Sequence, residues 1–565
     1  MKRWDRLAGA IALLFAVLPL WVSRHLPMVD LPQHLHLISV LHRIDDPTTI
    51  YPKLFAVRTE LTPYLGYYYA VSFLNWLLPI EAANKLFLSV YVIGMPLSLA
   101  FLLRSLGRPS WPSLLTLPFA YGDSFAWGFV NYCSALPLAF VSCGLLVRSI
   151  ADPSRRKVWA LALAATLVLT LLFHVQVFAF VALAFVGLLL TTRAPEDRDT
   201  VSSFGPGRAK SIHTSARSGQ VASEPPAAHD VELPPVTRPT TFDSQRWRQL
   251  LAVRVPALLA AVPSAALFAV WVVGRVGQPA EVEYGAPWKA WGPLLSPSNL
   301  SFMSFAQNRD EFFAVLANML RDGSDRYAVY GVGIVAAAAV VLGAWPALRQ
   351  STGEGPLERW RILGLGVIAL ALYFLLPFDI RGYMYYLNTR YAHLAVALLV
   401  CAVPPLRTSA GRILGAAAVA CAILLGLVLA RGFASFDREA AAVDRLGPSC
   451  PPAALIMGLI FNPSSAVVRH PVYLHSAATL ALERGGATNF SFARTPHSPI
   501  RYRGSPPPTF PSEWRPDQFD FARQGGAYDA FLVRGVAPEQ IFGRLLGSQL
   551  ELAGRADGFH LVRRR

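Results

Sequence analysis

Apolar runs recur along most of this chain, each roughly 17–25 residues long, which is the length a helix needs to cross a bilayer. The runs are continuous, not alternating, so they predict helices and not a closed barrel, the other fold able to span a membrane. Candidate spans are 7–23, 64–80, 85–103, 110–147, 158–173, 174–192, 249–274, 327–348, 360–378, 391–406 and 411–430. The fold class expected is therefore all-α and polytopic, with about 11 transmembrane helices by the usual length rule. Two segments break the pattern. Residues 193–248 are rich in Ser, Pro, Thr, Ala and Arg with little apolar content, and read as a disordered loop. Residues 432–565 hold short apolar stretches, such as Ala454–Phe461 and Ala530–Val533, between Gly and Pro turns. They read as a small α+β domain. The expected organisation is a membrane module over 1–192, the loop 193–248, a second membrane module over 249–431 and the domain 432–565.

Charge adds topology. The chain is 54% hydrophobic and 15% charged, with a net charge of +16 carried almost wholly by arginine. Such a balance in a soluble protein would suggest nucleic acid, but no run resembles a nucleic-acid motif and much of the charge flanks apolar segments. By the positive-inside rule, the N-terminus, 148–157, 193–248, the region of Arg349–Arg361, and Arg407 with Arg412 lie in the cytoplasm. Loops 24–63, 275–326 and 379–390 fall outside, as does the C-terminal domain. An odd number of spans must then separate residues 30 and 150. Three satisfy this if 110–147 is one span preceded by a bent or re-entrant piece, which leaves Arg104 and Arg108 outside, against the rule. The arginine bias with abundant Ala and Leu suggests a bacterial inner membrane. The first apolar run has no small-residue cleavage site after Val22 and reads as an uncleaved helix. The five cysteines show no disulfide or zinc spacing.

The richest polar stretch is VDLPQHLHLISVLHRIDD, residues 29–46, just beyond the first apolar run. Four of the twelve histidines lie at 25, 34, 36 and 42. Asp30 is a candidate catalytic carboxylate at the outer interface. Its alternative is a helix cap, since Asp30 and Gln33 fit a capping box around Pro32. His34 shares a helix face with Asp30 and is a candidate for phosphate binding or proton relay. His36 and His42 do not fall on that face, so a metal is not favoured. Asp123 stands between Gly122 and Gly128, which permit a helix break; it is a second carboxylate candidate, or an ordinary turn residue. His174 divides a long apolar run and reads as a turn or inter-helix hydrogen bond. Trp288 and Tyr383 lie in outer loops where aromatic rings stack on sugars or form an interfacial belt. Arg381 and Arg390 sit at an outer membrane edge that topology does not explain. They are candidate phosphate contacts, the alternative being snorkelling to headgroups.

This pattern resembles the GT-C superfamily of integral membrane glycosyltransferases. The features shared are a first helix, a long outer loop opening on an acidic residue within Val29–His34, many further helices and a C-terminal outer domain. The resemblance implies a catalytic role for Asp30, and suggests Asp123 as the acidic position of a later loop. It implies a sugar donor carried on a polyprenyl phosphate or diphosphate, an acceptor that is lipid, glycan or protein, and transfer with inversion at C1. Members often have paired acidic residues where Asp30 stands alone, with Asp45 and Asp46 well downstream, so no metal or other cofactor is assigned. Two other classes remain open. A transporter or flippase would carry charges within several spans and internal symmetry between halves. A non-catalytic scaffold would give Asp30 no special surroundings.

Overall fold

The computed structural model describes residues 3–194, 244–275, 297–349, 360–380, 384–404, 406 and 408–565. The loop expected over 193–248 lies almost wholly outside them, as do Trp288, Arg381 and Tyr383. The longer helices are, in chain order, α1 (Arg3–Trp21), α2 (Leu31–His42), α3 (Gly66–Leu74), α4 (Ile80–Ser105), α5 (Val130–Ala151), α6 (Arg156–Phe173), α7 (Val175–Thr191), α8 (Ser244–Arg275), α9 (Phe305–Leu316), α10 (Arg326–Arg349), α11 (Arg361–Leu375), α12 (Arg390–Cys401), α13 (Thr408–Leu446) and α14 (Ser476–Arg484). Six of the described helices are long and apolar enough to cross a membrane: α4, α5, α6, α8, α10 and α13. Four shorter apolar helices, α1, α7, α11 and α12, join them, with α1 packed on α13, α7 on α5 and α11 on α12. Side chains such as Leu161, Leu190, Val273 and Val341 are exposed on this bundle, a surface suited to lipid and not to water. The chain is a multi-pass membrane protein.

The structure redraws the region between residues 30 and 150. The run 64–80 does not span. It forms α3, nine residues long, or about 14 Å, followed by tight turns through Leu78. Its tyrosines Tyr67 and Tyr68 are buried, and the helix packs on α2. The run 110–147 is not one continuous helix. Trp111–Tyr121 is a 3-10 helix of 11 residues, and at about 2.0 Å per residue it extends some 22 Å. Pro112 and Pro118 in this stretch disfavour a regular α-helix, while α4, α12 and α13 cover it. A short helical turn, Asp123–Trp127, then leads into α5.

Between residues 80 and 150 the chain therefore runs along the bundle in three stretches, α4, the 3-10 run and α5. This also removes the conflict over Arg104 and Arg108. Arg148 Nε donates to Ser105 Oγ at 3.2 Å, and Arg108 donates to the Val403 carbonyl at 3.1 Å. Both arginines thus join the basic cluster at the end of the bundle away from Asp30, contrary to their expected outer placement.

At the Asp30 end, strands β4 (Leu455–Ile460), β5 (Ala487–Thr488), β7 (Ala530–Arg534), β8 (Leu550–Ala556) and β9 (Phe559–Arg564) form a mixed sheet in the order β5-β4-β7-β9-β8. The β4 strand runs parallel to both β5 and β7, and β9 is antiparallel to its neighbours β7 and β8. Two short antiparallel pairs stitch distant segments together. Strand β1 (Phe55–Val57) pairs with β6 (Ile500–Tyr502), and β2 (Leu300–Ser301) with β3 (Asp379–Ile380). The boundary expected at 431/432 falls inside α13, which continues to Leu446. Its last turns bury Phe433, Phe436, Val443 and Leu446 against α14 and the sheet.

Candidate active site

Two backbone hydrogen bonds dock the turn that precedes α2. Val29 N–H donates to the Ala126 carbonyl at 2.9 Å and Asp30 N–H to the Trp127 carbonyl at 3.0 Å. Gly128 makes this approach workable, with φ +90° and Asp30 N only 2.9 Å from where a Cβ would stand. The glycine break foreseen around Asp123 thus serves as the dock for Asp30. The capping alternative fails: Asp30 is the N-cap residue of α2 but makes no side-chain cap bond. Gln33, the other half of the expected box, donates instead to the Phe490 carbonyl at 2.6 Å.

With no capping duty, the Asp30 carboxylate faces a histidine from the C-terminal segment. His475 Nε2 lies 3.3 Å from Asp30 Oδ1, and His475 Nδ1 lies 3.6 Å from Glu513 Oε2. The imidazole is almost fully buried, whereas the Asp30 side chain keeps 19% of its surface open. This carboxylate–imidazole–carboxylate row borders a cavity of ≈ 580 Å³, a size common for small-molecule sites. Tyr64, Tyr68, Trp127, Tyr132, Tyr386 and Trp514 supply much of its wall, and Asp30, Glu513 and Arg390 are its charged groups among the described residues. Two of these aromatics hold a backbone conformation rare for side chains, Tyr64 at φ +74° and Tyr386 at φ +56°. Strain of this kind persists where surrounding structure enforces it, often at functional sites.

Arg390 begins α12 and is held at three points. Its guanidinium lies 4.0 Å from the centre of the Phe129 ring, and one NH2 group donates to the Tyr385 carbonyl at 3.2 Å. The other donates to His174 Nε2 at 3.1 Å. An arginine can only donate, so His174 accepts there and is neutral. His174 is thus both the helix junction and the inter-helix bond that its position suggested. The Arg390 Nε–H is buried without a partner.

The remaining candidates separate. His34 borders the cavity, but both ring nitrogens are occupied. Nε2 lies 3.1 Å from the Gly128 carbonyl and Nδ1 lies 2.7 Å from the Tyr68 hydroxyl. A carbonyl only accepts, so Nε2 carries the proton and Tyr68 donates to Nδ1. Burial pushes the His34 pKa down to about 4. A neutral, saturated imidazole is a prop for the Asp30 turn, which displaces the phosphate or relay role expected of it. Asp123 does not border the cavity. Its Oδ1 pairs with His470 Nε2 at 2.8 Å, with both side chains largely buried, and the His470 ring meets the edge of Trp127 at 5.6 Å. Among the described residues, no group of three or more His, Cys, Asp or Glu is placed to hold a metal ion.

Sequence reasoning missed His475, Glu513 and His470. A signal was present: His470, His475 and His497 cluster in the tail as the histidines of 25–42 do in the first loop. His36 completes the first cluster as a core residue, donating from Nε2 to the Gly486 carbonyl at 2.9 Å. Burial lowers its pKa to about 4, against 6.5 when unfolded. Above pH 6.5 both states are neutral; as pH falls below 6.5 the unfolded chain takes up a proton that the folded one refuses. Folding stability should therefore decline from pH 6.5 towards 4, by about 2 kcal/mol at pH 5 from this residue. Thermal midpoints between pH 7.5 and 5 check this, and His36→Gln should flatten the decline. Equal slopes in both proteins would contradict it.

No family model and no curated protein matches this sequence. Solved structures do. ArnT from Cupriavidus metallidurans in the apo state superposes with a TM-score of 0.52 at 11% identity, covering 99% of this chain and 97% of that one. The same protein bound to undecaprenyl phosphate gives 0.41 at 13% identity, with coverage of 99% and 97%. An Archaeoglobus fulgidus oligosaccharyltransferase tethered to an acceptor peptide gives 0.39 at 11%, covering 94% of this chain and 69% of that one. The first match establishes the architecture; the other two are too distant to add to it. The chain therefore shares the fold of that ArnT structure along nearly its whole length.

Proposed function

We propose that this protein is a membrane glycosyltransferase moving a sugar, hexosyl or pentosyl, from a polyprenyl-phosphate-type donor to an acceptor hydroxyl. The observation that supports this most is that Asp30 and Arg390, from distant parts of the chain, share one aromatic-lined cavity at the end of an apolar bundle. The bundle offers the polyprenyl chain an apolar environment. Arg390 offers the phosphate a charge-assisted bond through a guanidinium already oriented by Phe129, His174 and Tyr385. The aromatic walls suit the C–H faces of a sugar ring. Asp30 takes the proton of the acceptor hydroxyl as its oxygen bonds to C1. The C1–O bond to phosphate breaks, and its electron pair leaves on the lipid phosphate, which Arg390 stabilises. Asp123 acts on this step only through His470 and Trp127, as a positioning residue.

The site is assigned to the outer face of a bacterial plasma membrane, with a cytoplasmic N-terminus. Arg104, Arg108 and Arg148 gather at the opposite end, as the positive-inside rule asks of the cytoplasmic side. The titratable groups described above collect at one end of the bundle, which favours an interfacial enzyme over a transporter. The acceptor is a lipid, glycan or protein reached from that side.

Donor recognition can be measured without knowing the acceptor. Purified protein in lipid nanodiscs should bind polyprenyl phosphate, and Arg390→Ala should weaken that binding by about 10- to 100-fold, the worth of a hydrogen bond to a charged group. Equal binding by both proteins, or none by either, would remove the basis for a lipid-phosphate donor.

A further inference from the structure

We infer that His475 and Glu513 form the proton-holding pair behind Asp30, a role resting on the transferase reading above. Asp30 alone is a poor store for the acceptor's proton, because it must be ionised again for the next turnover. His475 lies on the side of Asp30 with Nε2 3.3 Å from Oδ1, and Glu513 lies at the far side of the same ring, 3.6 Å from Nδ1. When the ring is neutral with its proton on Nδ1, Asp30 can accept the hydroxyl proton and pass it to Nε2. The imidazolium that forms sits between two carboxylates, with Glu513 balancing its charge. After the product leaves, the proton returns through Asp30 to water in the open cavity, and no redox partner or further reactant is needed.

The surroundings fit this assignment. Apart from the two carboxylates, the titratable side chain nearest on α2 is His34, already neutral and saturated. Phe492 presents its ring edge-on to both His34 and His475, at 5.2 and 5.7 Å. Among the described residues, Arg390 is the cation that lines the same cavity. On the other side of His475 is a second cavity of about 20 Å³, bordered by Gln33, Asn489, Phe490 and Glu513. Gln33 is 2% exposed and its Oε1 has no partner. The space admits one water, which would donate to Gln33 Oε1 and to Glu513 and so hold that carboxylate in line with the ring.

Two measurements separate this inference from the function it rests on. In full-length protein labelled at histidine nitrogens, NMR titration should show the His475 pKa falling by about one unit or more in Glu513→Gln, because an opposite charge has been removed. Transfer should rise with pH through the His475 pKa. In Glu513→Gln that limb should move down by the same amount, with kcat reduced about 10- to 100-fold and KM for donor unchanged. Glu513→Asp should restore part of the rate. Should Glu513→Gln not fold, Asp30→Asn carries the same titration from the other face of the ring. An unmoved His475 pKa with normal transfer would overturn the pair and spare the transferase. A shifted His475 in a protein that transfers no sugar would overturn the transferase reading, and the catalytic role of the pair with it.

Discussion

Asp30→Asn is expected to lower sugar transfer by about 10²- to 10⁴-fold, the usual contribution of a general base, with polyprenyl-phosphate binding intact. The substitution keeps size and shape. It also leaves the structural work of this position undisturbed, because that work belongs to the backbone: Asp30 N–H bonds Trp127, and the carboxylate makes no cap bond to α2. The thermal midpoint should therefore stay close to wild type. Had the residue been only a cap, Asp30→Asn would leave rate and stability alike unchanged, because Asn caps as well as Asp, and Asp30→Ala would lose about 1 kcal/mol of stability with little effect on rate. Transfer assays and melting curves on the same preparation distinguish the two, and undiminished transfer by a folded Asp30→Asn protein would end the assignment of Asp30 as the base.

Gly128→Ala should be nearly as damaging to transfer, by a different route. The residue sits at φ +90°, and an added Cβ would stand 2.9 Å from Asp30 N and 3.0 Å from Asp30 Cβ. The left-handed backbone alone costs an alanine about 1–2 kcal/mol. The clash adds a displacement of the turn that aims the carboxylate, and a shift near 1 Å at a reacting group can cost 10²-fold in rate. Gly107→Ala is the matched control: φ is +72°, yet nothing lies within 4 Å of the new atom. Both variants should lose thermal stability, but only Gly128→Ala should lose transfer. Equal activities would mean that the 122–129 turn does not position Asp30.

The helical, membrane-spanning character was legible because apolar run length is a local property. Asp30 and Arg390 stood out for a related reason, each being a charge at the edge of an apolar run. The errors came where a local pattern had two physical solutions. The run 64–80 is apolar enough for lipid, but Tyr67 and Tyr68 bury themselves against protein. The run 110–147 read as one span, but its first part, Trp111–Tyr121, folds as a 3-10 helix, which covers more distance per residue than an α-helix. The capping box at Asp30 was correct in spacing but lost to tertiary partners, as Gln33 turned to Phe490. His475 and Glu513 could not be paired with Asp30 from sequence at all. Their proximity depends on the whole C-terminal segment folding back over the first loop.

That fold-back has a ruler built into it. The α13 helix is 39 residues long, or about 58 Å, nearly twice the hydrocarbon thickness of a bilayer, about 30 Å. It cannot be contained in lipid, and its charged last third, with Asp437, Glu439 and Asp444, must project beyond it. Arg24 and His25 clasp that projecting portion through Asp444 and Asp437, a few residues before Asp30. The helix therefore works as a mast of fixed height. It sets how far above the lipid surface the sheet, and with it His475, can stand. One inserted residue in its projecting part would swing the sheet by about 100°, whereas four would lift it about 6 Å with a net rotation of only about 40°. The height of His475, and of the cavity it shares with Asp30, is thus written in the length of a single helix.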